Sequence, residues 1–526
     1  MSTHSTSIVK STDILFPTSK AWQTPQHTVK KHNTDSYQHV FKYTGLLGGV
    51  QAFHILVSII RNKVAAVCIG EAGLGLADLY SRSIELTANA TNLGVAFSAV
   101  RQLSLHYETG NRREQEACVH TIRSFTLLTA LLGVLVCLLS AYPLSLYVLG
   151  DTSYVGSLLL LSPAVAFATL TGGEMAILKG MRCLKQIAAN AAMGALATLL
   201  ICAPLYWVWG MSSIVAVLVL TSASVCVIHL RASTQLFSYR ISPFHRATLQ
   251  KGAPLIKLGI AYVMAGVMAP GAEMLFRSSI VSSEGGLAMS GLYAAGLTLT
   301  VSYARLIFVA MDADYFPRLS SSINDGERTN AIVNRQIDVL TMLMTPFLIL
   351  FALFLPLVVR LLYTESFLPV VPMVLCALPY MFFKAVYTPI AYLSLATGAS
   401  RIYMTMELIY DVVLAVSVVV GYQQGGLIGA GVGLSLANAS DMLLLYIVYR
   451  RKFGFRFSRT TLCGIAVHGL LLFSALWAIA HGGTISRYLC SGVALLLSLA
   501  YSWRLLQSEM AINTKIKQWL RQRNKK

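Results

Sequence analysis

The chain alternates between long apolar runs and short polar connections. About 14 runs of roughly 20 residues are each long enough to cross the ~30 Å hydrocarbon core of a membrane as a helix. The sequence therefore predicts an all-α polytopic membrane protein with about 14 transmembrane helices. These runs, numbered as spans 1 to 14, are centred on residues 40–62, 76–104, 119–149, 155–178, 187–209, 213–233, 254–281, 288–312, 335–361, 369–396, 402–422, 427–449, 461–481 and 488–505.

Composition and charge agree with this pattern. Hydrophobic residues make up 56% of the chain and charged residues 12%, where soluble domains have about 25%. The net charge is +19, but most Lys and Arg residues fall in the two tails and in alternate connections. The opposite side has five, namely Arg61, Lys63, Arg277, Arg360 and Arg487. This asymmetry follows the positive-inside rule and predicts cytoplasmic N- and C-termini, so the charge gives no reason to expect a nucleic-acid partner.

A ten-residue pattern occurs twice and predicts a duplicated architecture. Residues 71–80 (EAGLGLADLY) recur as residues 284–293 (EGGLAMSGLY), with five of ten positions identical. Both copies begin on the predicted outer face, so the two repeats would be parallel. We therefore expect a flexible cytoplasmic tail (1–37), a first six-helix lobe (38–245), a second lobe (246–452), and an extra C-terminal hairpin with a basic cytoplasmic tail (453–526).

Several function classes lack support in the sequence. The connections are too short to form a soluble catalytic domain, which disfavours a membrane glycan polymerase or ligase. There is no GxxxxGK[ST] phosphate loop, no HExxH motif and no metal-ligand spacing among the nine cysteines. We expect a membrane transporter without a cofactor rather than an enzyme.

The chain resembles the Wzx-type polysaccharide flippases, whose superfamily (MOP) also contains the MATE multidrug exporters and the lipid II flippase MurJ. The resemblance rests on the two six-helix halves, on Ile69–Gly75 (IGEAGLG) and on Asp314–Ser320 (DYFPRLS). It implies alternating-access transfer of an undecaprenyl-pyrophosphate-linked oligosaccharide across the bacterial inner membrane, for O-antigen or another surface polysaccharide. It also implies membrane lipids and other polysaccharide assembly proteins as partners. The rival within the superfamily is a MATE-type antiporter of organic cations.

Charged residues inside spans are costly and therefore candidates for function. A pyrophosphate group would favour cationic side chains, and Arg matches phosphate with a bidentate fork. The predicted substrate-binding residues of a cationic cavity are Arg61, Lys63, Arg82, Arg277, Arg305 and Lys384. The alternatives are same-face ion pairs for Arg82 with Glu85 and for Arg277 with Glu273. Arg61 and Lys63 are placed in the outer third of span 1. The alternative for them is that their long side chains extend to the membrane interface instead of facing a cavity.

Acidic residues in spans 11 and 12 form a second group. Glu407 and Asp411 are four residues apart on one helix face, and Asp441 lies in the next span. They are candidates for an H⁺ or Na⁺ coupling site. The alternative, which we favour, is an ion pair between one of them and Lys384.

Overall fold

A computed structural model describes residues 35–243, 267, 270–271, 273–282, 286–302 and 305–523. Side chains are described for all of these except 35–48, 51, 302, 305–306, 309–314 and 508–523. The chain divides into two compact units, Met1–Gly45 and Leu46–Lys526. In the first unit the described residues are the beginning of a helix, and the second contains everything that follows.

None of the described residues forms a β-strand, so the prediction of an all-α protein is confirmed. A π-helical turn, Thr298–Ser302, follows helix α9. The helices are α1 (Asp35–Thr91), α2 (Val95–Thr109), α3 (Arg112–Val148), α4 (Val155–Leu160), α5 (Ser162–Gly180), α6 (Leu184–Trp209), α7 (Ile214–Thr234), α8 (273–281), α9 (Gly286–Leu297), α10 (Arg305–Ser320), α11 (Gly326–Leu353), α12 (Leu355–Leu362), α13 (Val370–Ala377), α14 (Pro379–Ala396), α15 (Ser400–Phe453), α16 (Arg459–His481) and α17 (Thr484–Arg523).

Eight helical segments among the described residues are long and apolar enough to cross a membrane, or nine if the bent pair α4–α5 is one span. Three of these segments, in α1, α6–α7 and α15, run for 40, 51 and 54 residues, about twice the length that one crossing needs. Each contains a glycine with positive φ, namely Gly70 (64°), Gly210 (53°) and Gly426 (56°). Since L-residues rarely adopt this geometry, glycine permits the chain to reverse there. Each segment thus accommodates two predicted spans, and most of span 7 lies outside the described residues.

The interior and the surface follow from the same apolar composition. One buried cluster joins residues of α1 and α3–α7, and a larger one joins mainly residues of α9–α17. Many large apolar side chains remain exposed, including Leu139, Leu200 and Trp207 (77% exposed). Helices that are apolar on every face are typical of membrane proteins, in which lipid covers the outer surface.

Glycine pairs allow two pairs of helices to cross at close range. In the α15 hairpin, a Cβ atom on Gly421 would overlap the backbone carbonyl of Gly429. Between α1 and α9, a Cβ atom on Gly75 would lie 2.8 Å from the backbone nitrogen of Gly291. Gly75 and Gly291 lie in the first and second copies of the sequence repeat, so the two copies pack against each other.

Candidate substrate cavities

A cavity of about 450 Å³ lies between helices α1, α8, α9, α14 and α15. Its lining combines apolar residues with the charged side chains of Asp78, Arg82, Glu273, Arg277 and Asp411. We call it the central cavity. It collects residues from the first and second halves of the chain, as a route between two lobes would require.

Four of these charged residues, together with Glu85, form one ion-pair network. The Arg277 side chain, 1% exposed, contacts the Asp78 carboxylate and donates from Nη2 to Glu273 Oε1 at 2.6 Å. Arg82 Nη1 lies 3.2 Å from Glu85 Oε2 and 3.8 Å from Glu273 Oε2. Both same-face ion pairs that the spacing suggested are therefore present. The network also links α1 to α8, which the sequence did not indicate.

The network changes the expected electrostatics of the central cavity. Arg82 and Arg277 are matched by Asp78, Glu85 and Glu273, and Asp411 adds a further carboxylate. Among the described residues, this cavity is not biased towards cations, contrary to the expectation. Asp78 was missed, although its position four residues before Arg82 is the spacing that places two side chains on one helix face.

Lys63 and Arg61 take different directions, as their spacing predicts. Lys63 Nζ donates to the carbonyl oxygens of Arg360 (2.7 Å) and Tyr363 at the end of α12. A cation at a helix C-terminus is favourable because the last carbonyls lack intrahelical partners. Arg61 instead lines two polar cavities described below. The helix that carries both residues continues to Gly70 rather than ending near residue 62. Their placement in the outer third of the span stays a prediction.

Lys384 lies in α14 and lines a third cavity of about 230 Å³ with Glu407, Asp441 and several tyrosines. Its Nζ donates to Tyr380 Oη at 3.3 Å and lies 5.9 Å from the centroid of the Phe308 ring. Among the described residues, no carboxylate oxygen pairs with it within 4.0 Å, so the favoured ion pair is not formed.

The two acids of span 11 do not share a site. Asp411 lines the central cavity, whereas Glu407 lines the cavity that contains Lys384. Glu407 and Asp411 lie on one helix face, as their spacing predicts, but one turn of the helix separates the two cavities that they line. Arg305 begins α10, and its side chain lies outside the described residues.

The largest of the four cavities, about 800 Å³, lies among helices α1, α5, α6, α7 and α9. A smaller recess of about 230 Å³ adjoins it and shares five lining residues with it, namely His54, Ser58, Arg61, Thr198 and Val225. Asn190 and His229 complete the polar lining of this recess. Asn190 and His229 were not among the residues that the sequence pattern singled out. Neutral Asn and His inside apolar runs were the available signal.

A buried ion pair also escaped prediction. Arg123 lies about three turns inside α3, which begins at Arg112. Its Nε lies 3.0 Å from Glu174 Oε1, and its Nη1 donates to the carbonyl oxygens of Phe237 and Ser238. This pair therefore ties α3 and α5 to the segment that follows α7.

Comparison with known proteins places these features in a family context. The sequence profile of the family described as "Polysaccharide biosynthesis protein" matches residues 109–372, half of the chain. No curated protein sequence matches it. Among solved structures, an inward-closed lipid II flippase MurJ superposes with a TM-score of 0.66 at 13% identity, covering 90% of this chain and 100% of that one.

Two further structures have the same fold. An inward-facing multidrug resistance MATE family transporter of the MOP superfamily has a TM-score of 0.62 and 14% identity, covering 77% of this chain and 94% of its own. A MOP superfamily transporter from Pyrococcus furiosus has a TM-score of 0.55 and 14% identity, covering 78% and 96%. At these identities the likeness establishes the fold, which is that of polytopic membrane transporters.

Proposed function

The chain belongs to the polysaccharide biosynthesis protein family, and on this premise we propose that it transfers a polyprenyl-pyrophosphate-linked oligosaccharide across the bacterial cytoplasmic membrane. The observation that carries the proposal is a set of cavities inside a bundle of apolar helices, each lined in part by charged or hydrogen-bonding side chains, in a chain that matches this family over 109–372. The polar head of such a lipid needs a hydrated route, while its polyprenyl tail remains in the bilayer. The product would be O-antigen or another surface polysaccharide.

Transfer would proceed by alternating access between the two lobes, 38–245 and 246–452. In support, contacts between the two halves gather near the helix ends that adjoin Gly70. They include Lys63 with the end of α12, Arg277 with Asp78, and Gly75 with Gly291. With cytoplasmic termini, these contacts would close the outer side, leaving the substrate to enter from the cytoplasm. An H⁺ or Na⁺ gradient acting on Glu407 or Asp411 would supply the driving force.

The pyrophosphate would engage cations of the cavities. Lys384 is the strongest candidate, because its described partners are a tyrosine hydroxyl and aromatic rings, which leave its charge uncompensated at close range. Arg61 is the second, since it lines two polar cavities. Arg82 and Arg277 would have to exchange a carboxylate for the phosphate, and Arg305 remains a candidate from its sequence position.

One observation favours a second function. The carboxylates of Asp78, Glu273 and Asp411 at the central cavity would suit an organic cation, the substrate class of a MATE-type antiporter. Such a protein would confer resistance to cationic drugs, with no effect on surface glycan. The two functions therefore predict opposite results in one pair of assays.

The test is complementation of a strain that lacks its glycan flippase, scoring surface polysaccharide and the accumulated lipid-linked intermediate. We expect the wild-type chain to restore surface glycan, and Lys384→Ala and Arg82→Ala to abolish it at unchanged membrane abundance. Arg101→Ala is the matched control, because Arg101 is an exposed cation on α2 away from the cavities. Full export by both cavity variants would refute the cationic role, and drug resistance without glycan export would favour the antiporter.

A further inference from the structure

Two buried polar side chains in the recess beside the 800 Å³ cavity each have a nitrogen atom without a hydrogen-bond partner among the described residues. Asn190 on α6 is 2% exposed and His229 on α7 is 3% exposed. Among the residues that the structure describes, neither Asn190 Nδ2 nor His229 Nε2 has a hydrogen-bond partner. A buried polar group without a partner costs about 1–3 kcal/mol, so two such groups lining one recess indicate a site whose ligand supplies the missing bonds.

The hydrogen bond on the other ring nitrogen defines what His229 offers. Nδ1 lies 2.9 Å from the carbonyl oxygen of Val225, which is an acceptor, so Nδ1 carries the proton. In the neutral ring, Nε2 then presents a lone pair. Asn190 presents the complementary group, an amide N–H donor. The recess therefore has both an acceptor and a donor in its lining, with the Arg61 guanidinium as a further donor.

The adjoining wall is rich in acceptors. Four hydroxyl groups that line the cavity or the recess donate their protons to carbonyl oxygens of their own helices at 2.7–2.8 Å, which leaves oxygen lone pairs free. A ligand with many O–H groups can donate hydrogen bonds to these oxygen atoms, whereas a phosphate, which offers mostly acceptors, cannot. The four hydroxyl groups belong to Ser81, Thr171, Thr198 and Thr221.

We propose that this recess binds a sugar ring of the transported glycan through its hydroxyl groups, with Asn190 donating to one hydroxyl and His229 accepting from another. The inference rests on the proposed function and adds that the glycan and the pyrophosphate bind at separate sites. The lipid pyrophosphate binds to Lys384 in its separate cavity, and the 800 Å³ cavity holds the hydroxyl-rich head. Arg61, the second candidate for the pyrophosphate, is thereby assigned to the glycan instead. A cavity of this size is within the range of 300–1,000 Å³ that small-molecule sites occupy.

The test separates the glycan from the lipid pyrophosphate by comparing two probes. Purified protein in nanodiscs is titrated with the lipid-linked glycan extracted from the flippase-deficient strain, and with bare undecaprenyl pyrophosphate. Asn190→Leu and His229→Leu are compared with Ser224→Leu, a control on α7 that lines neither cavity. We expect each recess variant to bind the glycan lipid about three- to tenfold more weakly and the bare lipid within about twofold of the wild type.

Thermal unfolding distinguishes a binding role from a structural one. Replacing an unpaired buried amide by an apolar group of similar shape removes a desolvation cost, so Asn190→Leu should unfold at the same or a higher temperature while it binds glycan less well. His229→Gln, which retains an acceptor, should recover part of the affinity lost in His229→Leu.

Three outcomes would overturn the inference. Unchanged glycan-lipid affinity in both recess variants would exclude the sugar site and leave the proposed function standing. An equal loss for both lipids would assign the recess to the pyrophosphate or to the fold. Failure of the wild-type protein to bind either lipid would refute the proposed function and this inference with it.

Discussion

At the scale of single residues, burial decides which ion pairs matter. The side chains of Arg123 and Glu174 are 2% and 6% exposed, and the Ser233 hydroxyl donates to the same carboxylate. Removing one partner of such a pair leaves a charge in a low-dielectric interior. Removing one partner of a buried ion pair typically lowers the free energy of unfolding by about 3–5 kcal/mol. Exposed pairs, by contrast, contribute at most about 1 kcal/mol because water and salt screen them.

We therefore expect Arg123→Ala to lower the free energy of unfolding by about 3–5 kcal/mol, because Glu174 would remain buried without its cation. Thermal unfolding of purified protein in detergent measures the change. Glu116→Ala is the matched control, since its ion pair with Arg112 on the same helix is about half exposed and should contribute less than about 1 kcal/mol. Equal unfolding temperatures for Arg123→Ala and the control would contradict this account.

The sequence predicted residue pairs within one helix and missed those between helices. The pairs Arg82–Glu85 and Glu273–Arg277 follow from spacing, because residues three or four apart share a helix face. The contact of Asp78 with Arg277 and the pair Arg123–Glu174 depend on how helices pack. Nothing local in a chain specifies that packing.

At the scale of helices, apolar length predicted the spans well, but their ends less well. The first helix continues to Gly70 because the apolar pattern persists beyond Arg61 and Lys63. The helix is interrupted only at Gly70, a residue that tolerates positive φ. This shift of about eight residues, or roughly 12 Å, moves Arg61 from a helix end to a cavity wall.

The crossing of α1 and α9 depends on the absence of side chains at Gly75 and Gly291. A Cβ atom at Gly291 would overlap the carbonyl group of Glu71, which is backbone and cannot move aside cheaply. If this contact closes the outer side, Gly291→Leu should prevent closure and reduce glycan export to background, with Gly291→Ala intermediate. Surface polysaccharide in the complemented strain is the measurement.

Gly172→Ala is the matched control for this prediction. Gly172 also lies in a helix, but a Cβ atom there would meet nothing within 4 Å. We expect export at the wild-type level from this variant. Wild-type export from Gly291→Leu as well would mean that the close crossing has no part in transport.

At the scale of the molecule, composition and the length of the apolar runs were enough for the fold class, and the family profile agrees with the resemblance seen in two short motifs. The chemistry of the cavities was not predictable to the same degree. The sequence shows which charged residues lie inside apolar spans, where they are costly. The net charge of a cavity, however, depends on which of these side chains line it together. The central cavity illustrates this, because Arg82 and Arg277, both expected to make it cationic, form ion pairs with Glu85 and Glu273.

The proposed two-lobe mechanism makes a prediction that concerns the whole molecule. Lys63, in the proposed first lobe, donates to the carbonyl oxygen of Arg360, in the proposed second lobe, at 2.7 Å. In a protein with the exposed Cys463 and Cys490 replaced by Ser, Lys63→Cys and Arg360→Cys together allow a short cleavable cross-linker to join the lobes. Reconstituted protein should then stop transferring extracted lipid-linked glycan, and a reductant should restore transfer.

The control joins two positions inside the first lobe. Glu108 and Arg182 form an exposed ion pair at 2.6 Å, so Glu108→Cys with Arg182→Cys accepts the same cross-linker without linking the lobes. Transfer should continue there, because in the proposed mechanism each lobe would move as one body. If the cross-link between Lys63→Cys and Arg360→Cys also left transfer intact, the outer contacts would not open during the cycle, and the substrate would have to leave by a route that does not part α1 from α12.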